Sequence, residues 1–132
     1  MAKRINAIKA LMPHIELNST IQVDELARYM SRGTNLNPGQ IKFILGELSD
    51  ALLFFTSSGQ PVKLDGLGTF TPGIRLSGEF TLNVRVDRDL IDGLNKPDAF
   101  KGRISNRANI GKSGDDLVEQ WNRSVPEDQV ID

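Results

Sequence analysis

The chain has 132 residues, 39% of them apolar, and no cysteine, so we expect one domain with short additional segments and exclude disulfides and thiolate metal sites. The single histidine, His14, cannot form a histidine cluster, which excludes zinc chemistry as well. The formal net charge of −1 hides an uneven distribution, because residues 60–112 sum to +3 and residues 113–132 sum to −5.

Residues 1–21 are interpreted as an N-terminal segment that precedes the first clearly periodic helix. Its apolar residues are interrupted by Lys9 and Pro13. The segment therefore contains neither the apolar core of a signal peptide nor a membrane span. We expect a cytoplasmic protein without a membrane partner.

Two helices are predicted after this segment. Apolar side chains in residues 23–32 follow the spacing of one helical face, and Gly33 ends that helix. A second helix begins where Asn37 can cap it and Pro38 takes the first helical position, and it stops at Gly59. Its apolar residues occupy more than one side, which predicts burial against both its own chain and a second subunit. Extra burial within one subunit is the alternative.

After Gly59 the apolar residues change from the helical period to the strand period. Short apolar runs at residues 62–64 and 69–76 are separated by a turn, and residues 80–86 alternate strictly between apolar and polar side chains. This pattern predicts a three-stranded antiparallel meander. Leu90, Ile91 and Leu94 predict a short helix that follows it.

Residues 96–132 are interpreted as a C-terminal extension that begins as a loop. Residues 96–112 carry a local charge excess of +4, which favours an anionic partner. The alternative is that these basic side chains only solvate a C-terminal tail and bind no partner. Ser113 and Asp116 form a capping arrangement that predicts one more helix over residues 114–123.

The order of these elements, with the motif G-x-x-V-x-L-x-G-x-G-x-F between the helices and the hairpin, resembles the bacterial HU/IHF histone-like DNA-binding proteins. The motif residues are Gly59, Val62, Leu64, Gly66, Gly68 and Phe70. The resemblance implies an α+β fold with a two-helix base, a three-stranded antiparallel sheet and a short final helix. We expect this domain over residues 22–95, and the chain is most similar to the HU-like branch with a reduced DNA-binding arm.

The glycine pair of the motif is interpreted as a structural corner and not as a catalytic site. Glycine accepts a positive φ and lets another backbone or ring come close. Gly66 and Gly68 are therefore expected to form the turn while Phe70 enters the core.

The resemblance also implies an intertwined homodimer that binds double-stranded DNA on a saddle formed by its sheets. Arg75 matches a basic position near the start of the family's arm, and Arg85 and Arg88 match positions where the last strand meets the final helix. An arginine fork can hold two phosphate oxygens without reading bases. The alternative is that Arg85 and Arg88 are ordinary outward residues paired with Asp87 or Asp89. The full set of candidate DNA-binding residues is Lys63, Arg75, Arg85, Arg88, Lys101, Arg103 and Arg107.

The sequence departs from the family where the arm should be. The family's arm is a long basic ribbon whose tip carries a proline that wedges between base pairs. Here Leu76 is followed at once by Ser77 and Gly78, and Asp87 and Asp89 weaken the local positive field. We expect the fold to be retained and strong DNA bending to be lost.

Three other functions receive less support. Residues 24–48 can be drawn as a helix-turn-helix, but the second helix offers few polar groups to base edges. Residues 111–113 resemble the end of a phosphate-binding loop, but Asn106 stands where that motif needs glycine. Asp115 and Asp116 lack complementary ligands or a base, and helix starts favour carboxylates anyway. We predict no enzyme, no cofactor, no metal and no small-molecule substrate.

Two functional classes stay open. The first is a nucleoid-associated architectural protein that binds duplex DNA mainly through backbone phosphates, with little sequence specificity. The second is an HU-like module that serves protein interaction, with weak or no DNA binding. Phosphate neutralisation makes affinity fall steeply with salt, whereas an apolar protein interface changes little, so salt dependence separates the two.

Overall fold

The computed structural model describes residues 1–131 and divides the chain into two compact units. The HU-like unit contains residues 19–100, and the terminal unit contains residues 1–18 together with the residues from 101 onward. The helices are α1 (Arg4–Leu11), α2 (Val23–Ser31), α3 (Pro38–Thr56), α4 (Arg88–Leu94) and α5 (Gly114–Ser124). The strands are β1 (His14–Glu16), β2 (Val62–Leu64), β3 (Gly68–Ile74), β4 (Phe80–Val86) and β5 (Arg103–Ser105). The predicted α+β fold class is confirmed.

Helices α2 and α3 form the base of the HU-like unit, as predicted. The Asn37 side chain accepts a hydrogen bond from the Gln40 backbone N–H at 2.9 Å, and the Gln40 side chain accepts from the Asn37 N–H. This reciprocal cap, followed by Pro38, fixes where α3 begins. An ion pair between Lys42 and Asp24 links the two helices. The hydrogen bond from Lys42 lowers the pKa of the Asp24 carboxyl below its ordinary value.

Strands β2, β3 and β4 form an antiparallel sheet in that order. Gly66 lies in the turn between β2 and β3 at φ +80°, which favours glycine. Gly68 does not share this conformation, because it is the first residue of β3 and pairs with Val86. A Cβ atom at Gly68 would lie 2.6 Å from the Arg85 carbonyl oxygen. The expectation that both glycines form the turn is therefore wrong for Gly68. A glycine is needed at this position because the backbone of β4 lies too close for a side chain.

Asp87 connects the end of the sheet to α4. Its carboxylate accepts hydrogen bonds from the backbone N–H groups of Asp89, at 2.9 Å, and of Gly66, at 3.2 Å. Its own N–H donates to the Leu67 carbonyl oxygen at 2.8 Å. Asp87 therefore caps α4 and holds the β2–β3 turn against it, which gives this aspartate a structural role.

The terminal unit is built from both ends of the chain. Helix α1 packs against α5, and strand β1 pairs with β5 in a two-stranded antiparallel ribbon. Ala7 and Leu117 are buried between the two helices, and Arg4 forms an ion pair with Asp115 at 2.6 Å. The predicted cap of α5 is confirmed, because Ser113 and Asp116 exchange hydrogen bonds of 3.1 Å.

Two asparagine side chains donate hydrogen bonds to backbone carbonyl oxygens at the C-terminal end of α1. The Asn106 amide donates to the carbonyl oxygens of Ala10 and Met12, and the buried Asn109 amide donates to the carbonyl of Leu11 at 2.7 Å. These bonds use the orphan carbonyl groups that every helix end leaves. The residues from 96 to 112 are therefore more ordered than the predicted loop, and they form β5 and a short 3-10 turn.

No helix or strand was predicted in the N-terminal segment, and the structure places α1 and β1 there. The boundaries predicted at residues 22 and 95 lie near the ends of the HU-like unit, and they stay a prediction. Within residues 1–131, no helix combines the length and apolar character needed to cross a membrane.

Candidate nucleic-acid interface

The sheet of the HU-like unit has one polar face, defined by the cross-strand register. Side chains alternate between the two faces of a sheet, so partners in one row share a face. Lys63 pairs with Thr69, and Thr69 pairs with Arg85, which makes one row across all three strands. The next rows are Thr71 with Asn83 and Gly73 with Thr81. We call these seven residues the polar sheet face.

The base row of this face concentrates positive charge. Lys63 and Arg85 stand on either side of Thr69, and both are exposed. Adjacent strands lie about 4.8 Å apart, so the two cations start from backbone positions about 10 Å apart. No ion pair in residues 1–131 neutralises either of them. The base row can therefore present two cations to neighbouring phosphates of one nucleic-acid backbone.

Arg75 and Arg88 lie at the two ends of the hairpin and are paired with acids. Arg75 contacts Glu79 at 3.0 Å across the hairpin tip, and Arg88 contacts Asp92 at 3.2 Å on α4. All four side chains are more than half exposed. Exposed pairs of this kind contribute little to stability, so either arginine can exchange its carboxylate for a phosphate at small cost.

The other predicted cations belong to the terminal unit. Lys101 and Arg103 line an open cavity of about 420 Å³ at the end of the β1–β5 ribbon, together with Glu16 and Asn18. Glu16 is the cross-strand partner of Arg103 and accepts a hydrogen bond from Ser105 at 2.8 Å. Arg107 lies on the 3-10 turn beyond β5. This second basic cluster therefore includes an acid, whereas the base row does not.

The opposite face of the sheet is apolar, and α3 packs against only part of it, on β2 and β3. A groove of about 690 Å³ separates the C-terminal half of α3 from the hairpin. Leu53 on α3 and Phe80 on β4 line it, and they are 69% and 81% exposed. Phe43 and Phe54 of α3 are also about two thirds exposed. Only Ala27 and Ile41 are fully buried apolar residues of this unit, so most of its large apolar side chains are accessible to solvent in the single chain.

Comparison with known protein families identifies the family to which the chain belongs. Residues 3–91 match the HU-HIG family, described as an HU domain fused to a wHTH, Ig or glycine-rich motif. The chain belongs to the HU-HIG family. The HU-HIG match covers α1 to α3, the whole sheet and the start of α4, and therefore contains the polar sheet face. No curated protein matches the chain.

Membership of the HU-HIG family supports a nucleic-acid-binding architectural role in general. Within residues 1–131, no cluster of three or more His, Asp or Glu side chains could hold a metal ion.

Sequence reasoning selected only charged residues, and it missed the uncharged members of the polar sheet face, which are Thr69, Thr71, Thr81 and Asn83. The strict alternation of residues 80–86 places Thr81, Asn83 and Arg85 on one face, and that signal could have found Thr81 and Asn83.

Proposed function

We propose that this protein is a nucleoid-associated architectural protein that binds duplex DNA mainly through backbone phosphates, with little sequence specificity. The observation that carries the proposal is the base row, in which Lys63 and Arg85 are exposed side by side on a polar sheet face. Contacts to phosphate set the position of a protein on DNA without reading sequence. Such a role implies a protein of the cytoplasm, at the nucleoid.

The charge pattern favours local contacts over a general attraction. Residues 19–100 carry a net charge of −2, so the unit as a whole does not attract DNA. Binding must then depend on the field near the base row, with Arg75 and Arg88 joining after they release their carboxylates. Lys101, Arg103 and Arg107 would add a weaker component that is independent of sequence, because Glu16 offsets part of their charge.

We further propose that the working form is a homodimer. The exposed apolar side chains of α3 and β4 include four phenylalanines and Leu53. Burying each such side chain contributes roughly 1.5–3 kcal/mol, so a dimer that covers them gains on the order of 10 kcal/mol. A second copy would also double the base row and produce two phosphate-binding rows on one particle.

The short hairpin favours little DNA bending. The two strands of the hairpin have seven residues each, and residues 75–79 close it. The tip carries Leu76 and no proline. An arm of this length cannot wrap around the duplex or hold a wedge between distant base pairs, which is how long-armed proteins offset the cost of bending.

A salt titration of duplex-DNA affinity tests the proposal. The four base-row cations of a dimer alone predict that log K falls against log salt with a slope of roughly −3 to −4, and phosphate contacts by Arg75 and Arg88 would make the slope steeper. The measurement is fluorescence anisotropy on a 30-base-pair duplex at several salt concentrations. An affinity that is undetectable at low salt, or that does not change with salt, would contradict the proposal and favour the protein-interaction alternative.

A further inference from the structure

Strand β4 forms an open edge of the sheet in the HU-like unit. Among residues 1–131 it pairs only with β3. The Asp87 N–H donates to the Leu67 carbonyl oxygen. At the other end, the Arg75 N–H donates to the Glu79 carbonyl oxygen. Backbone groups along an antiparallel strand alternate in direction, so every second residue between Glu79 and Asp87 faces away from β3. The outward N–H and C=O groups belong to Phe80, Leu82, Val84 and Val86.

This edge lacks the features that usually keep an edge strand from pairing with another chain. Such features are prolines, lysines, bulges and a very short strand. Strand β4 has seven residues without proline or lysine, and its register with β3 runs without a bulge from Val86 to Phe80. All four outward residues are apolar and about half exposed or more. An exposed apolar edge strand of this kind is a template for a further strand.

The sequence of β4 is complementary to itself in antiparallel register. With Asn83 on a twofold axis, Leu82 stands opposite Val84 of the second copy, and Phe80 stands opposite Val86. Arg85 then stands opposite Thr81, so no like charges meet. Every outward N–H also finds an outward carbonyl. A shift by one residue would set the apolar face of one copy beside the polar face of the other, and a shift by two would leave part of each strand unpaired.

We propose that β4 pairs with β4 of another copy in this register and joins two three-stranded sheets into one continuous six-stranded sheet. The twofold axis places both polar sheet faces on the same side. The proposed homodimer covers side chains on the apolar face, and packing against a face leaves the in-plane backbone groups of an edge unpaired. The second copy of β4 therefore belongs to a neighbouring dimer.

Such an edge contact is small, so it is weak between free dimers and forms where DNA holds two dimers side by side. Its consequence is cooperative binding to a duplex long enough for two dimers. The inference rests on the proposed DNA-binding function and adds to it a contact between neighbouring bound dimers.

Disulfide cross-linking tests the register, because the chain contains no cysteine. Asn83→Cys would place two thiols opposite each other in a pair with Cα atoms about 4.5 Å apart, a distance that a disulfide can span. Thr71→Cys is the matched control, because Thr71 is the β3 partner of Asn83 on the same exposed face and lies one strand further from the axis. Both variants are oxidised with oxidised glutathione on a duplex of about 60 base pairs.

A third protein combines Asn83→Cys with Val84→Pro. The Val84 N–H points outward, so a proline there removes no hydrogen bond to β3 but blocks the new pairing. Val84→Lys serves the same purpose if the proline variant does not fold. Fluorescence anisotropy on the same duplex reports DNA binding by each protein.

Asn83→Cys should give a non-reduced band at about 29 kDa, twice the mass of the 14.6 kDa chain, and Thr71→Cys should not. The added Val84→Pro should abolish the band and the cooperativity of binding. The inference is overturned if Asn83→Cys gives no band, if Thr71→Cys gives an equal one, or if Val84→Pro leaves the band unchanged. In each case, salt-dependent binding to the duplex leaves the proposed function standing. If the duplex is not bound at all, both proposals fail.

Discussion

Replacing Gly68 by alanine tests how closely β3 and β4 approach each other. The added Cβ atom would lie 2.6 Å from the Arg85 carbonyl oxygen and 3.4 Å from the Val86 Cα atom, and both belong to the backbone of β4. Backbone atoms cannot rotate away, so the two strands must separate by several tenths of an ångström and stretch their hydrogen bonds. We expect a loss of about 1–3 kcal/mol in the free energy of unfolding, and a larger loss for Gly68→Val.

Urea and thermal unfolding at one fixed protein concentration measure this loss. Each kcal/mol corresponds to about 4–8 °C in the midpoint for a unit of this size. Gly66 supplies the matched control, because its cost arises from φ +80° and nothing lies within 4 Å of an added Cβ atom. Asparagine tolerates that conformation, so Gly66→Asn should be milder than Gly66→Ala, whereas Gly68→Asn should be no milder than Gly68→Ala. An unchanged midpoint for Gly68→Ala would refute the steric explanation.

Three further predictions concern association, the terminal unit and DNA shape. Light scattering at micromolar concentration should give a mass of about 29 kDa, twice that of the 14.6 kDa chain. Leu53→Asp in the apolar groove should abolish the dimer, whereas the control Leu76→Asp at the exposed hairpin tip should not. A wild-type value near 15 kDa would contradict the dimer. Asn109→Ala should destabilise the terminal unit by about 1–3 kcal/mol in urea unfolding, because the Leu11 carbonyl loses its buried partner. The exposed Asn95→Ala should cost less, and equal losses would contradict this explanation. In a circular-permutation assay the bound duplex should bend little, and a bend as large as that of long-armed relatives would show that the tip acts as a wedge.

The sequence predicted the elements whose signals are local. The start of α3 was predicted from Asn37 and Pro38, which are adjacent, and the start of α5 was predicted from Ser113 and Asp116, which are three residues apart. The alternation of residues 80–86 likewise predicts β4 without any knowledge of its partner. These features need no long-range contact to be recognised.

The missed elements depend on contacts between distant parts of the chain. Helix α1 has no side-chain cap, and its C-terminal end is held by Asn109, which is 98 residues away from Leu11. Strands β1 and β5 have three residues each and acquire their register only when the two chain ends meet. Such short segments carry too little periodicity to be recognised alone.

The candidate site was predictable only in part for the same reason. Lys63 and Arg85 were identified as cations, but their adjacency depends on the register of three strands through Thr69. The sequence also left open whether Arg88 pairs with Asp87 or Asp89, and the structure instead pairs it with Asp92, one helical turn later. The sequence resemblance indicated the family, whereas the arrangement of the candidate site became known only from the strand register.

The most direct test of the account compares the salt dependence of two double variants. Arg85→Ala with Arg88→Ala removes one cation of the polar sheet face and one at the start of α4, and Arg103→Ala with Arg107→Ala removes two cations from the terminal unit. Each lost phosphate contact should reduce the slope of log K against log salt by about one. With both variants folded, the first pair should flatten the slope more than the second. A larger effect of the second pair would place the phosphate site on the terminal unit, and no effect of either would contradict DNA binding through these residues.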